Sequence, residues 1–277
     1  MQFCCRSHRF ELDNRVLVMG VLNVTPDSFS DGGVHVDPDR AVAGAMAMFD
    51  AGADIVDIGG ESTRPGAAPV SEFEEIARVQ PVVCGLRKRT DAAISIDTWK
   101  AGVALAALTA GADIINDISG FNRDPDMAGT AARHDAGCVI MHMRGTPQTM
   151  QTLTNYVSLI DEINAYFTVA IDRLTSAGVA PDHICLDPGI GFSKTAEQNL
   201  ALIRRLSEFE SHGLPILLGA SRKSFIGKTL EIDDPSERVW GTAAAVAIGV
   251  ANGAGIVRVH DVAAMRQVAD LAHAITK

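Results

Sequence analysis

The chain has 277 residues, 47% hydrophobic but only 5% aromatic, with a formal net charge of -10. That charge excludes nucleic-acid binding through a generic basic face, and no apolar run approaches the roughly 20 residues of a membrane span. The aliphatic bias suits parallel strands buried on both faces, and about 250 residues suffice for an α/β barrel as one domain.

In chain order, the start (MQFCCR) lacks a hydrophobic signal segment, which points to a cytoplasmic protein. Phe3–Leu12 reads as a hairpin within residues 1–14, with Asp13-Asn14 as its turn. Eight short apolar runs follow: Val16–Asn23, Ile55–Gly59, Ile94–Thr98, Ile114–Ile118, Cys138–Met143, Ile184–Ile190, Pro215–Ala220 and Ile256–His260. Helix-period segments lie between them, as in the apolar stripe from Tyr156 to Leu174. Ser71-x-x-Glu74 predicts a capping box, and Asp234 followed by Pro235 predicts a capped helical start. Gly52, Gly111, Gly137, Gly178 and Gly213 read as helix stops before strands. The five scattered cysteines read as free thiols, since none forms a C-x-x-C pair.

One phrase recurs: AGADIVDIGG from Ala51, AGADIINDISG from Ala110, and a looser NGAGIVRVHD from Asn252. Each reads as a helix end, a Gly, a short strand and then polar residues, a unit that argues for a parallel sheet with helical crossovers. Polar residues follow nearly every apolar run, and no Gly-x-Gly-x-x-Gly follows the first. A closed (β/α)8 TIM barrel in one domain, 1–277, is therefore favoured over an open doubly wound sheet.

In such a barrel the strand ends converge on one rim, where active sites are built. Asp97, Asn116 and Asp187 end runs that otherwise read as buried, and buried carboxylates need partners. A planar heterocycle with adjacent N–H donors supplies them. Arg64, Lys223, Arg258 and His260 form a cationic set that suits an anionic ligand, and Asn23 offers an oxygen to a phosphate-bound Mg²⁺. Blander readings stand beside these. Either Asp could cap its strand end, Asn116 could bond its own turn, Arg258 could pair with a nearby carboxylate, and His260 could be a core histidine. His142 reads as structural, and Asp54 and Asp113, which precede their strands, belong to the opposite end. The segment GIGFSKT lacks the order of a phosphate loop, so Lys194 reads as a surface residue.

Met19–Gly33 (MGVLNVTPDSFSDGG), Asp57–Gly66 (DIGGESTRPG), Asp187–Thr195 (DPGIGFSKT), Leu217–Gly227 (LLGASRKSFIG) and Arg258–Val262 (RVHDV) together resemble the bacterial dihydropteroate synthase family, over essentially the whole chain. Ser193 stands where Gly is common in that family. The resemblance implies a transferase of folate biosynthesis, a sulfonamide target. It implies condensation of 6-hydroxymethyl-7,8-dihydropterin diphosphate with 4-aminobenzoate, with Mg²⁺, usually as a homodimer. By the same resemblance, Asp97, Asn116, Asp187, Lys223 and Arg258 hold the pterin. Asn23, Arg64, Arg258 and His260 meet the diphosphate and metal. Thr63, Pro65, Phe192, Lys223 and Ser224 hold the aminobenzoate. Catalysis falls to Lys223, Arg258, His260, Asp97 and Arg64, and the loops after the first two strands are expected to order over the diphosphate. A pterin- or folate-dependent methyltransferase barrel and a non-catalytic pterin-binding paralogue are the competing readings. The helices around Val239–Val250 and Val262–Ile275 are candidates for a subunit face, ordinary packing on the barrel being the alternative.

Overall fold

The computed structural model describes residues 1–25, 37–62 and 66–277. Two short antiparallel strands, β1 (Gln2–Cys5) and β2 (His8–Glu11), precede the barrel. The barrel strands and their helices follow as β3 (Leu17–Asn23), α1 (Pro38–Asp50), β4 (Ile55–Gly59), α2 (Glu72–Arg87), β5 (Ala93–Asp97), α3 (Ala101–Ala110), β6 (Ile114–Asp117), α4 (Met127–Arg133) and β7 (Gly137–Met141). Then come α5 (Leu159–Ser176), β8 (Ile184–Asp187), α6 (Ala196–Arg204), β9 (Ile216–Leu218), α7 (Ser224–Leu230), α8 (Val239–Ala251), β10 (Ala254–Val259) and α9 (Val262–Thr276). Strands β3 to β10 pair in parallel in chain order and β10 returns to β3, closing an eight-stranded (β/α)8 barrel.

Side chains alternate across a strand, so every second residue faces the barrel interior. One buried cluster gathers Leu17, Met19, Ile55, Ala93, Ile114, Val139, Cys185, Leu217 and Ile256, at least one from each barrel strand, with Phe3, Cys5 and Leu12 of the hairpin region. This is the interior floor, and the hairpin plugs it from below. The other parity, with Val18, Val56, Ile58, Ile94, Ile96 and Ile115, packs outward against the helices. Two residues beyond the floor, the same interior parity reaches Asp57, Ser95, Asn116, Met141, Asp187, Gly219 and Arg258. A polar layer thus rests on an apolar one because both obey a period of two.

The opposite end is tied by carboxylates. Asp54 accepts the Val18 N–H at 2.8 Å and pairs with Arg15 and Arg266, while Asp113 accepts the Ile94 N–H at 2.9 Å and pairs with Arg87 at 2.6 Å. Each strap joins a strand start to its neighbour, which fits a role in barrel closure.

Several local expectations need correction. The hairpin turns at Arg6-Ser7, with Arg6 at φ 50, because the register pairs Cys5 with His8; Asp13-Asn14 instead leads into the barrel. Gly137 is no helix stop. Asp135 takes the left-handed conformation (φ 52) after α4, and Gly137 opens β7, where an added Cβ would lie 2.8 Å from Cys5 Cβ. Ser71 caps α2, but Glu74 pairs with Arg78 at 2.5 Å instead of completing the box. The full reciprocal box forms at Thr195 and Gln198, on α6. Asp234 caps a single 3-10 turn, Pro235–Glu237, and α8 begins only at Val239.

Candidate active site

The polar layer is knit together by Arg258. Its Nε donates to Asp57 Oδ2 at 2.6 Å and an Nη to Asp97 Oδ2 at 2.7 Å, so one guanidinium bridges β4 and β5 from β10. Asn116 Nδ2 donates to the same Asp57 oxygen at 2.9 Å. The strand register dictates this grouping, since Gly59 pairs with Asp97 and Asp97 with Asn116. Asp57 is fully buried, and it is absent from the candidate site residues drawn from the sequence. The signal was present: a carboxylate two residues after Ile55, inside an apolar strand, must have a partner. The pairing of Arg258 with nearby carboxylates, one of its two sequence readings, is present in the structure.

Asp187 and Lys223 form the second half. Asp187 Oδ1 accepts the Gly189 N–H at 2.7 Å. Gly219, at the same level on the barrel wall, is bare: a Cβ there would lie 3.6 Å from Asp187 Oδ2, 3.7 Å from Lys223 Nζ and 4.0 Å from Arg258 Cβ. Asp187, Lys223 and Arg258 therefore share one space over a glycine. Lys223 Nζ also donates to the Ile190 carbonyl and lies 4.7 Å from the Phe192 ring centroid, a cation–π distance. Phe192 packs against an apolar wall of Trp99, Ile118, Met141, Met143 and Met150 at the same rim.

The anion-facing candidates sit farther round. Asn23, half-buried, ends β3 beside Gly59. His260 meets Ser221 Oγ through its backbone N–H at 3.2 Å and through Nδ1 at 3.0 Å, while Arg222 pairs with Asp261. Ser224 is exposed at the first residue of α7, directly after Lys223. Thr63, Arg64 and Pro65 lie outside the described residues, as does most of the loop after β3.

Burial sets the electrostatics. It pushes the Asp97 and Asp187 carboxyls up, against the pull of Arg258 and Lys223 respectively. Burial brings Lys223 down to about 8, with Arg258 acting in the same direction and Asp187 and Asp97 resisting. Arg258 stays firmly protonated: burial opposes it, but Asp57 and Asp97 more than compensate. Asp117, beside Asn116, is also buried and raised, to about 6; it accepts the Ser119 and Phe121 N–H groups and so shapes the turn after β6.

Lys194 is not at the surface. It is only 4% exposed, and its Nζ lies against His142, Gly189 and Phe192. A lysine following Gly-Ile-Gly-Phe-Ser carries no local mark of burial; its partner His142 is 52 residues away.

The layer offers carboxylate acceptors, an amide and two half-buried cations to a flat ligand, with an apolar wall beside it. No cluster of three or more His, Cys, Asp or Glu side chains able to hold a metal occurs among the described residues. Mg²⁺ commonly relies on substrate phosphates and few protein oxygens, and the Asn23 amide at the end of β3 would fit that donor set.

This fold and layer define a barrel enzyme for a flat, hydrogen-bonding ring, and comparison with known proteins gives the family. The model for pterin-binding enzymes matches residues 19–260, and the chain belongs to that family. It is 53% identical over 266 residues to the dihydropteroate synthase of Synechocystis sp., covering 96% of this chain and 92% of that one. It superposes on the Yersinia pestis dihydropteroate synthase, solved with a sulfonamide drug complex, with a TM-score of 0.93, 44% identity and 99% coverage of both chains. The Xanthomonas albilineans dihydropteroate synthase, solved with 7,8-dihydropteroate, matches with a TM-score of 0.89 and 36% identity over 99% of this chain and 98% of that one.

Proposed function

We infer that this chain is a transferase that condenses 6-hydroxymethyl-7,8-dihydropterin diphosphate with 4-aminobenzoate, giving 7,8-dihydropteroate and diphosphate. The observation that carries the reading is the grouping of Asp97, Asn116, Asp187, Lys223 and Arg258 in one polar layer at the barrel mouth, in a chain so similar to dihydropteroate synthases. Asp187 would accept two N–H bonds from the pterin 2-amino edge, as carboxylates do with planar donors. Lys223 would donate to the 4-oxo and N5 acceptors. Arg258, planar and permanently charged, would face the ring while donating to phosphate, which a lysine does less well. Asn23, Arg64 and His260 would meet the diphosphate. Thr63, Pro65, Phe192 and Ser224, with Lys223, would line the aminobenzoate site. Asn23 would hold a Mg²⁺ carried by the diphosphate, the metal supplying charge neutralisation on the leaving group.

The chemistry needs no protein nucleophile. The carbon–oxygen bond to diphosphate breaks ahead of attack, leaving a cationic methylene that the electron-rich dihydropterin stabilises. The arylamine nitrogen then bonds to that carbon and gives up a proton. Arg64, Arg258 and His260 stabilise the departing charge, and Asp97 and Asp187 favour the electron-poor ring; each such contact is worth about 3 kcal/mol in the transition state. Positional isotope exchange in the pterin diphosphate without aminobenzoate reports the early bond break, and its complete absence with a rotationally free diphosphate argues against this order. Diphosphate release that requires both substrates and Mg²⁺ tests the function itself. No release under those conditions sinks it.

A homodimer belongs to the same proposal. Helix α8 carries Trp240 (82% exposed), Ala244 and Ile248 (50%) at four-residue spacing, an apolar stripe that faces away from the barrel. A second copy would cover it. No described helix is long and apolar enough to cross a membrane, and all five cysteines are unpaired, which supports a place in the reducing cytoplasm.

A further inference from the structure

The turn from Gly189 to Phe192 serves both substrate sites in the reading above: its Gly189 N–H holds Asp187, and its Phe192 ring faces Lys223. A charged group that the chemistry does not use lies beneath it. Lys194 Nζ is 2.9 Å from the Phe192 carbonyl, 3.0 Å from His142 Nδ1, 3.1 Å from the Gly189 carbonyl and 3.4 Å from the His142 carbonyl. Three of the four partners are carbonyl oxygens, which can only accept. An ammonium has three N–H donors and no lone pair, so this cage suits the charged form, whereas a neutral amine would turn its lone pair on an oxygen. Burial draws the Lys194 pKa well down, and Asp187 is the main charge that opposes this. Burial, then the Lys194 and Arg144 charges, hold His142 down to about 2, so its imidazole stays neutral, and Nδ1 accepts from Lys194 in the tautomer that carries the ring proton on Nε2.

A second set of bonds locks the same turn. Ser193, fully buried at φ 50, accepts the Arg144 N–H at 3.0 Å and donates to the Phe192 carbonyl at 2.8 Å, while Tyr156 donates to the Ser193 carbonyl at 3.1 Å. A left-handed serine costs about 1 kcal/mol or more, which these bonds offset.

We propose that Lys194 is a positioning residue for the condensation, a buried ammonium post that pins the Gly189–Phe192 turn to the exit of β7 and so fixes the spacing between Asp187 and the Phe192 ring. The inference rests on the condensation reading and deepens it. Pterin and aminobenzoate recognition then share one support that neither ligand touches.

The test is steady-state kinetics of full-length Lys194→Met beside the wild type, below the melting temperature of both. KM for 4-aminobenzoate is expected to rise about tenfold through loss of orientation. The acid limb of kcat/KM for the pterin diphosphate should also move to higher pH, because Asp187 loses a cationic neighbour that holds its carboxyl down. A purely structural lysine lowers only the melting temperature; a folded variant with both KM values within about twofold and an unmoved acid limb overturns the proposal. Should Lys194→Met not fold, His142→Gln decides: an aminobenzoate KM raised about threefold supports the post, and an unchanged one overturns it. Wild type without condensation activity overturns the functional reading and this inference together. Active wild type with unaffected variants overturns the inference alone.

Discussion

At Lys223, burial and charge pull in opposite directions, and this gives the site a pH signature. Its pKa falls from the ordinary 10.5 to about 8, so the free protein loses this cation as pH rises past 8. A donor role then predicts that kcat/KM for the pterin diphosphate declines about tenfold per pH unit above that point. The sign for stability is the reverse. Between about 8 and 10.5 the unfolded chain binds the proton that the native chain has lost, so this group makes stability rise with pH in that window. Lost activity with undiminished melting temperature identifies the charge as the cause; a flat profile to pH 10 removes Lys223 from its role. Lys223→Ala should lower kcat/KM by at least about a hundredfold and weaken pterin binding, and near-normal values would refute the assignment. At this scale Asp97, Asn116, Asp187 and Arg258 were legible in the sequence because each is a polar residue in an apolar run that must find a partner. Arg258 reads both toward a ligand and toward a carboxylate partner, but that the partners are Asp57 and Asp97 depends on register across the closed sheet, which no local pattern contains.

At the scale of elements, two glycines separate chemistry from support. Gly219 on the wall beyond β9 leaves the space shared by Asp187, Lys223 and Arg258, and a Cβ there meets only ordinary contact distances of 3.6–4.0 Å. Gly219→Ala is therefore expected to fold with a melting temperature within a few degrees of wild type but to bind the pterin diphosphate about tenfold more weakly, measured calorimetrically. Unchanged affinity would show that the pocket floor lies elsewhere. Gly137, at the start of β7, has Cys5 Cβ 2.8 Å and Phe3 Cζ 2.9 Å from its hypothetical Cβ. Gly137→Ala pushes the hairpin from the barrel floor and should cost about 1–3 kcal/mol by denaturant titration, with kcat retained below the transition. Strand positions were readable to within a few residues because alternation and Gly punctuation are local. The turn at Arg6-Ser7 was not, since a tertiary fit sets its register: Phe3 and Cys5 must reach the floor, and the Arg6 N–H bonds the Asp135 carbonyl at 2.8 Å.

For the molecule as a whole, the apolar stripe on α8 is what a lone barrel does not need. With Trp240 82% exposed, Trp240→Glu is expected to convert a dimer to a monomer by light scattering at micromolar concentration, while the melting temperature changes little. A wild type that is monomeric throughout would leave the stripe without a second copy. The stacked interior has a consequence for descent with modification. Residues 55, 93, 114, 185, 217 and 256 build the apolar floor, and residues 57, 95, 116, 187, 219 and 258, two positions further along, build the layer to which the proposed function assigns recognition. The two sets never exchange places without a shift of register. A lineage carrying this chain is therefore free to revise its chemistry one storey at a time, over a foundation it does not have to rebuild.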